Sequence, residues 1–300
     1  LTNLLLYKPI TEGESIMDMA MVMSALEASV KPRFYKYISD STNKTCNACL
    51  KHDGEIFTEY DKMPELPLHP NCRCRYIEVS AEDFLKQKSF EFGAMSVDKW
   101  MDQSKDDKNL WCNSFRNRFG DAIDKFAQQY NVPKELLAGI IANEMLDWKW
   151  PDGSWLDGVG GGGVGYAQIS PKTAQQEGVA SKEEDIKAKL KTAEGSVEVA
   201  AKLLKKYLDE LRNTVAEDKL GDGFLKSTLN YMADPAILNS GDQVNMKVPE
   251  WLLNTMCAVW NSGTGVLKAK DKIGDNNYRN AYFHGSNASA LKLYLSKLVK

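Results

Sequence analysis

Apolar residues recurring at spacings of three and four predict helices over most of the chain beyond residue 105. Leu136, Leu137, Ile140, Ile141 and Met145 mark one buried face of a helix that ends near residue 147. Phe115, Phe119, Ile123 and Phe126 mark another, starting at Leu110. Residues 197–212, 222–232, 249–260 and 288–299 continue the pattern. Pro133, the pair Ser170-Pro171 and Ser196 supply start signals. Lys187, Lys189, Lys191, Lys202, Lys205 and Lys206 read as solvated exteriors. Upstream, residues 14–30 form a helical run with a methionine-rich face (Met17, Met19, Met21, Met23), the mark of adaptable packing. Residues 33–38 are a short aromatic strand candidate. Residues 80–108 are charged and read as a linker with a short helix at 81–87. The pattern predicts a mainly α chain, with a small α+β module over 1–100 and a helical domain over 101–300.

Within the first helix above, Glu144 follows Ile140 by four residues and Ile141 by three, so it shares their face. Desolvation disfavours the charged carboxylate, and a carboxyl kept protonated near neutral pH suits a general acid. The bland alternative is a glutamate that closes the helix at the surface or pairs with a lysine. After the helix, Trp148, Trp150 and Trp155 crowd together, then Asp157 and a glycine run to Gly165. Flat rings beside an acid and a permissive backbone suit a sugar-binding groove, although tryptophans also serve as plain core. The glycines formally contain G-x-G-x-x-G (Gly158, Gly160, Gly163), but no strand precedes them and no G-K-[ST] follows, so a nucleotide loop is not expected.

Composition narrows the classes. A net charge of −3 gives no support for nucleic acid or an anionic membrane as partner. No apolar run approaches the length of a membrane span. The LTNLLLY start lacks a basic region plus a cleavage site, so it is read as the start of a fragment rather than a signal peptide.

Cysteine is concentrated elsewhere. Cys46 and Cys49 form a C-x-x-C, followed after a polar loop by His69-Pro70-Asn71-Cys72-Arg73-Cys74. A tetrahedral zinc takes four N/S ligands from two short knuckles, and Cys46, Cys49, His69, Cys72 and Cys74 offer five candidates. A pair of disulfides and a catalytic zinc with an open position remain as alternatives. His52 is a sixth candidate that reads as a solvated loop residue. Cys257 reads as a buried small hydrophobe.

Two stretches carry resemblances. The Glu144 helix, then Gly165-Tyr166-Ala167-Gln168-Ile169 with Thr173-Ala174 after it, then Ala258-Val259-Trp260-Asn261-Ser262-Gly263, resemble in order the three signature blocks of soluble lytic transglycosylases and goose-type lysozymes. Trp260 stands where the family has tyrosine. The resemblance spans residues 105–300 and implies a lysozyme-like helical domain with a small loop/β region. It implies peptidoglycan as substrate, cleaved at the β-1,4 bond between N-acetylmuramic acid and N-acetylglucosamine, with Glu144 as general acid. Tyr166, Gln168, Trp260, Asn261 and Trp155 are the expected substrate contacts. Goose-type enzymes carry an aspartate thirteen residues after the glutamate to position water, and Asp157 stands there. An inverting hydrolase needs its carboxyls about 6.5–9.5 Å apart. A second goose-type aspartate aligns with Ser170, so the match is partial; Asp147 and Asp152 are weaker substitutes for Asp157. Lytic transglycosylases instead use the substrate's own hydroxyl and leave 1,6-anhydro ends.

Residues 40–54 followed by Leu68-His69-Pro70-Asn71-Cys72-Arg73-Cys74 resemble the C-terminal part of phage Mu-type head-morphogenesis proteins, a module also found in secreted toxins. It implies a small zinc-bound domain. Together the two resemblances imply an antibacterial effector of a type VI secretion system, carried by the secretion apparatus, acting in a rival's periplasm and met by an immunity protein in the producer. A virion-associated lysin and a non-catalytic phage-type wall-binding module are the alternatives, with a metal-dependent amidase centred on the cysteines as a third.

Overall fold

Aromatic residues between Arg33 and Ile38 form the middle strand of a three-stranded antiparallel sheet in a computed structural model that describes residues 32–39, 47–90, 92, 96–147, 162–217, 219, 235–268 and 290–300. Strand β1 (Phe34–Ile38) lies between β2 (Ile56–Thr58) and β3 (Arg75–Val79), with Tyr35 opposite Phe57 and Tyr37 opposite Tyr76. Helix α1 (Asn47–His52) sits in the β1–β2 connection. Helix α2 (Ala81–Lys88) follows β3 and opens with a capping box, in which the Ser80 hydroxyl accepts from the Asp83 N–H and the Asp83 carboxylate from the Ser80 N–H. Phe34, Ile56 and Phe84 form a small apolar cluster of their own.

The remaining helices are α3 (Val97–Met101), α4 (Lys105–Tyr130), α5 (Lys134–Asp147), α6 (Pro171–Gln176), α7 (Glu183–Leu190), α8 (Ala193–Ala216), α9 (Pro235–Leu238), α10 (Glu250–Ser262) and α11 (Leu295–Leu298), with 3-10 turns at Thr264–Lys268 and Lys292–Tyr294. The chain is therefore mainly helical with one small antiparallel sheet. Helix α5 lies at the centre, packed by α3, α4, α8, α10 and α11. Helix α8 shows the expected stripe, with Val197, Ala200, Ala201, Leu204, Leu208 and Leu211 buried. Its Glu198 pairs with Lys189 of α7 at 2.9 Å, and its Lys206 with Glu177 at 2.6 Å.

Several local expectations change. The stretch read as a linker contributes Phe92, Val97 and Trp100 to the main core, where Trp100 meets Trp111 and Tyr294 edge-on. Helix α4 begins at Lys105, ahead of Leu110, because Ser104 caps it by accepting from the Asp107 N–H. Helix α8 likewise begins before Ser196, capped by Thr192. Ser170 does cap α6, with Pro171 in its first turn. The helices expected at 14–30 and 222–232 lie outside the described residues.

The sheet module meets the helices through polar groups rather than apolar ones. Asp53, 2% exposed, accepts from the Ser39 N–H at 2.9 Å and from Asn109 Nδ2 at 3.2 Å, and pairs with Lys105 at 2.9 Å and Lys297 at 3.7 Å. Arg116 of α4 donates to the Lys51 carbonyl at 2.5 Å and pairs with Glu55 at 2.8 Å. Gly54 has φ +79°, and a Cβ there would stand 2.9 Å from Asn109 Cβ, so glycine permits both the turn and the close approach to α4.

Burial alone would raise the Asp53 pKa; the Ser39 N–H, Lys105 and Lys297 outweigh it and hold the carboxyl below its ordinary range. Removing one partner of a buried pair leaves the other charge uncompensated, so Asp53→Ala is expected to cost about 3–5 kcal/mol in urea unfolding at neutral pH. Because the folded pKa is depressed, this stabilisation is complete above the unfolded value of about 4 and is lost as pH falls through the folded value. The gap between wild type and variant should accordingly close in acid.

Candidate functional site

Two groups of side chains stand out. In the first, α1 presents Cys49 while the residues leading into β3 present Cys72 and Cys74, with all three Sγ atoms within 4.8 Å of one another. This group could hold a metal ion. A tetrahedron with metal–sulfur bonds of about 2.3 Å has S–S edges of about 3.8 Å, and Cys49 Sγ lies 3.8 Å from Cys72 Sγ. That spacing is far beyond a disulfide bond of about 2.05 Å, so the disulfide alternative fails for this pair.

His69 stands at the edge of this trio, its Nε2 3.1 Å from Cys49 Sγ without lying within 4.8 Å of all three sulfurs. Its Nδ1 lies 2.8 Å from the Pro70 carbonyl. A proton on Nδ1 donated to that carbonyl leaves the Nε2 lone pair facing Cys49 Sγ, the tautomer of a metal-ligating histidine. The turn is made by Asn71, whose φ of +66° lets the Cys72 N–H reach the His69 carbonyl at 3.0 Å; asparagine tolerates that left-handed conformation well. Burial pushes the Cys72 thiol up, but backbone groups at Cys74 and Leu68 and the neighbouring thiols bring it down to about 7, where thiolate forms readily. The buried Tyr37 phenol beside Cys74 and Cys49 is pushed up, by burial first and then by those sulfurs. Tyr37 was not legible as part of this group. Its position opposite Tyr76 marks it only as a strand residue.

Cys46 lies outside the described residues. His52 is no solvated loop residue: it ends α1, half-buried, with Nδ1 2.7 Å from Glu55 Oε2.

The second group surrounds α5. The apolar period predicts one buried face, yet every residue from 136 to 146 is buried, because helices pack α5 on all sides. Glu144, 3% exposed, and its neighbour Asn143 are the polar residues enclosed there. Close approach of α10 and α11 depends on Gly139, where a Cβ would lie 2.9 Å from both Leu253 and Leu295.

The second motif block forms a turn, closed by an isolated antiparallel bridge between Val164 and Ile169. Gly165 has φ +70°, and a Cβ there would fall 1.7 Å from the Leu190 carbonyl oxygen, so this turn presses on the end of α7. Gln168 is also left-handed, at φ +47°, with Nε2 donating to the Gly165 carbonyl at 2.8 Å. Tyr166 packs edge-on against Phe119, ring centroids 5.0 Å apart.

The Ala167 peptide is held at both ends. Its N–H donates to Ser196 Oγ at 3.2 Å, and its carbonyl accepts from Trp260 Nε1 at 3.2 Å. The second and third blocks thus meet directly, and α10, which carries Trp260 and Asn261, packs against α5, which carries Glu144. Ser196, expected as a cap, is instead this buried tie. A small polar residue inside the apolar stripe of α8 was the available signal. Asn261 accepts from the Ser262 hydroxyl at 3.2 Å.

Trp148, Trp150, Asp152, Trp155 and Asp157 lie outside the described residues, and Asp147 is described only as the last residue of α5. No helix among the described residues is long and apolar enough to cross a membrane. Compared with known proteins, the chain matches no family model, no curated protein and no solved structure.

Proposed function

We propose that the chain is a muramidase that cleaves the β-1,4 bond between N-acetylmuramic acid and N-acetylglucosamine in peptidoglycan. The observation that carries this reading is one carboxyl, Glu144, buried in the last turn of a central apolar helix. Removal from water favours the neutral form of a carboxyl, which a general acid needs. The direct bond between Ala167 and Trp260 supports the same reading, because it joins the second and third motif blocks. Glu144 protonates the leaving oxygen, and Asp157 positions the water that attacks the anomeric carbon. Tyr166, Gln168, Asn261 and Trp155 contact the sugar. Trp260 spends its indole N–H on the Ala167 carbonyl, so its role is to hold the turn as much as to touch substrate.

The test is a digest of purified sacculi analysed by mass spectrometry. New reducing ends are the expected result. Anhydro ends would move the assignment to a lytic transglycosylase, and intact glycan would leave only a wall-binding module.

We further infer that Cys49, Cys72, Cys74 and His69 hold a structural zinc. The tetrahedral S–S edge and the aimed His69 Nε2 support this. Bound there, the metal would cross-link α1 to the approach to β3. Delivery by a secretion apparatus into a rival's periplasm, with an immunity protein in the producer, is the setting that both motif resemblances favour.

A further inference from the structure

The C-terminal residues touch both groups of side chains. On one side, Lys297 of α11 is buried, donates to Asn109 Oδ1 and lies 3.7 Å from Asp53 Oδ2. Asp53 follows Cys49 by four residues, directly after α1, against which α11 packs. On the other side, Leu295 of the same short helix closes on Gly139 of α5, five residues before Glu144. Lys292 donates to the Val248 carbonyl, Tyr294 packs on Trp100, and Lys134 of α5 donates to the Lys300 carbonyl at 2.8 Å. The segment 290–300 is therefore tied to the sheet module by a buried charge and to α5 by the Leu295–Gly139 contact and the Lys134–Lys300 hydrogen bond.

We propose that this segment is a strap that transmits metal occupancy at the cysteine group to the Glu144 helix. The inference rests on the metal reading above. Metal fixes α1 against the Cys72–Cys74 turn, α1 presents Asp53 to Lys297, and Lys297 seats Leu295 on Gly139. Without metal, the module rests on a three-residue apolar cluster and on its polar ties to α4 at Lys51, Asp53 and Glu55. Loosening of α1 then strains the Asn109 and Lys105 contacts that keep Asp53 beside Lys297, and where Asp53 withdraws, Lys297 is left buried without its counter-charge. Leaving the core becomes the favourable course for that ammonium group. Two discrete arrangements of the strap, seated and released, are what coupling between distant sites requires.

Hydrogen exchange on the full chain, zinc-loaded and chelated, tests this. Metal loss should speed exchange in residues 291–299 and in α5 as well as in residues 47–79, by a factor within the roughly 5- to 150-fold span of ordinary coupling. Lys297→Met, which cannot answer to Asp53, should show the same exchange at 291–299 with and without metal. Lys297→Gln serves equally if the first variant fails to fold. Zinc bound at one equivalent, with deprotection confined to 47–79, would overturn the strap and leave the metal site standing. A Lys297→Met protein that keeps the wild-type response would do the same. A chain that takes up no zinc overturns both.

Discussion

Glu144→Gln is expected to lower peptidoglycan cleavage by about 10²–10⁴-fold, the usual contribution of a positioned general acid. The amide has the size and shape of the carboxyl and lacks only the proton to be delivered. Glu144 is buried, and the amide fills the same volume as the carboxyl, so this change disturbs the packing little. Far-UV circular dichroism and the thermal midpoint should stay close to wild type while muropeptide release falls. A folded variant that clears sacculi at the wild-type rate would falsify the assignment. Asp157→Asn separates the two branches of the chemistry. Hydrolysis should fail in that variant, whereas a transglycosylase, which uses the substrate's own hydroxyl, should be indifferent to it.

The second large effect is metal removal. Structural zinc sites in small peptides carry apparent binding free energies on the order of 10–16 kcal/mol, and that energy is folding energy. The sheet module has little else: Phe34, Ile56 and Phe84 are its own apolar cluster, and its contacts with α4 are polar. A strong chelator, or Cys72→Ser, should therefore unfold residues 47–79. The near-ultraviolet dichroism of Tyr37 and Tyr76, which meet edge-on with centroids 5.5 Å apart, should vanish. The far-ultraviolet helical signal should largely persist, since α4, α5, α8 and α10 share a separate core. Native mass spectrometry should find one metal equivalent in the wild type and none in Cys72→Ser. A module that keeps its tyrosine signal after chelation would show that the cysteines do not depend on a metal.

Much of this was readable from spacing alone. The aromatic strand at 34–38, the helix at 81–88, the cap at Ser170 and the stripe of α8 each follow from local rules, in which a side chain answers to neighbours a few residues away. The approach of Cys49, His69 and Cys72 was also legible, because two short knuckles suit one tetrahedral centre. Other features answer to residues far along the chain and left no local trace. Ser196 looks like a cap until Ala167 arrives beside it. Trp100 looks like part of a linker until Trp111 and Tyr294 close around it.

By itself, then, the amino-acid sequence determined the mainly helical class, the buried position of Glu144 on an apolar period, and the pairing of two cysteine knuckles. Only the tertiary structure decided that α5 is enclosed on every side, that Asp53 is buried among Lys105, Asn109 and Lys297, and that Trp260 holds the Tyr166 turn. The physical reason is range. Hydrophobic period, caps and knuckle spacing act within a few residues, whereas burying Asp53 beside Lys297 becomes favourable only once chain segments 244 positions apart have been brought into contact.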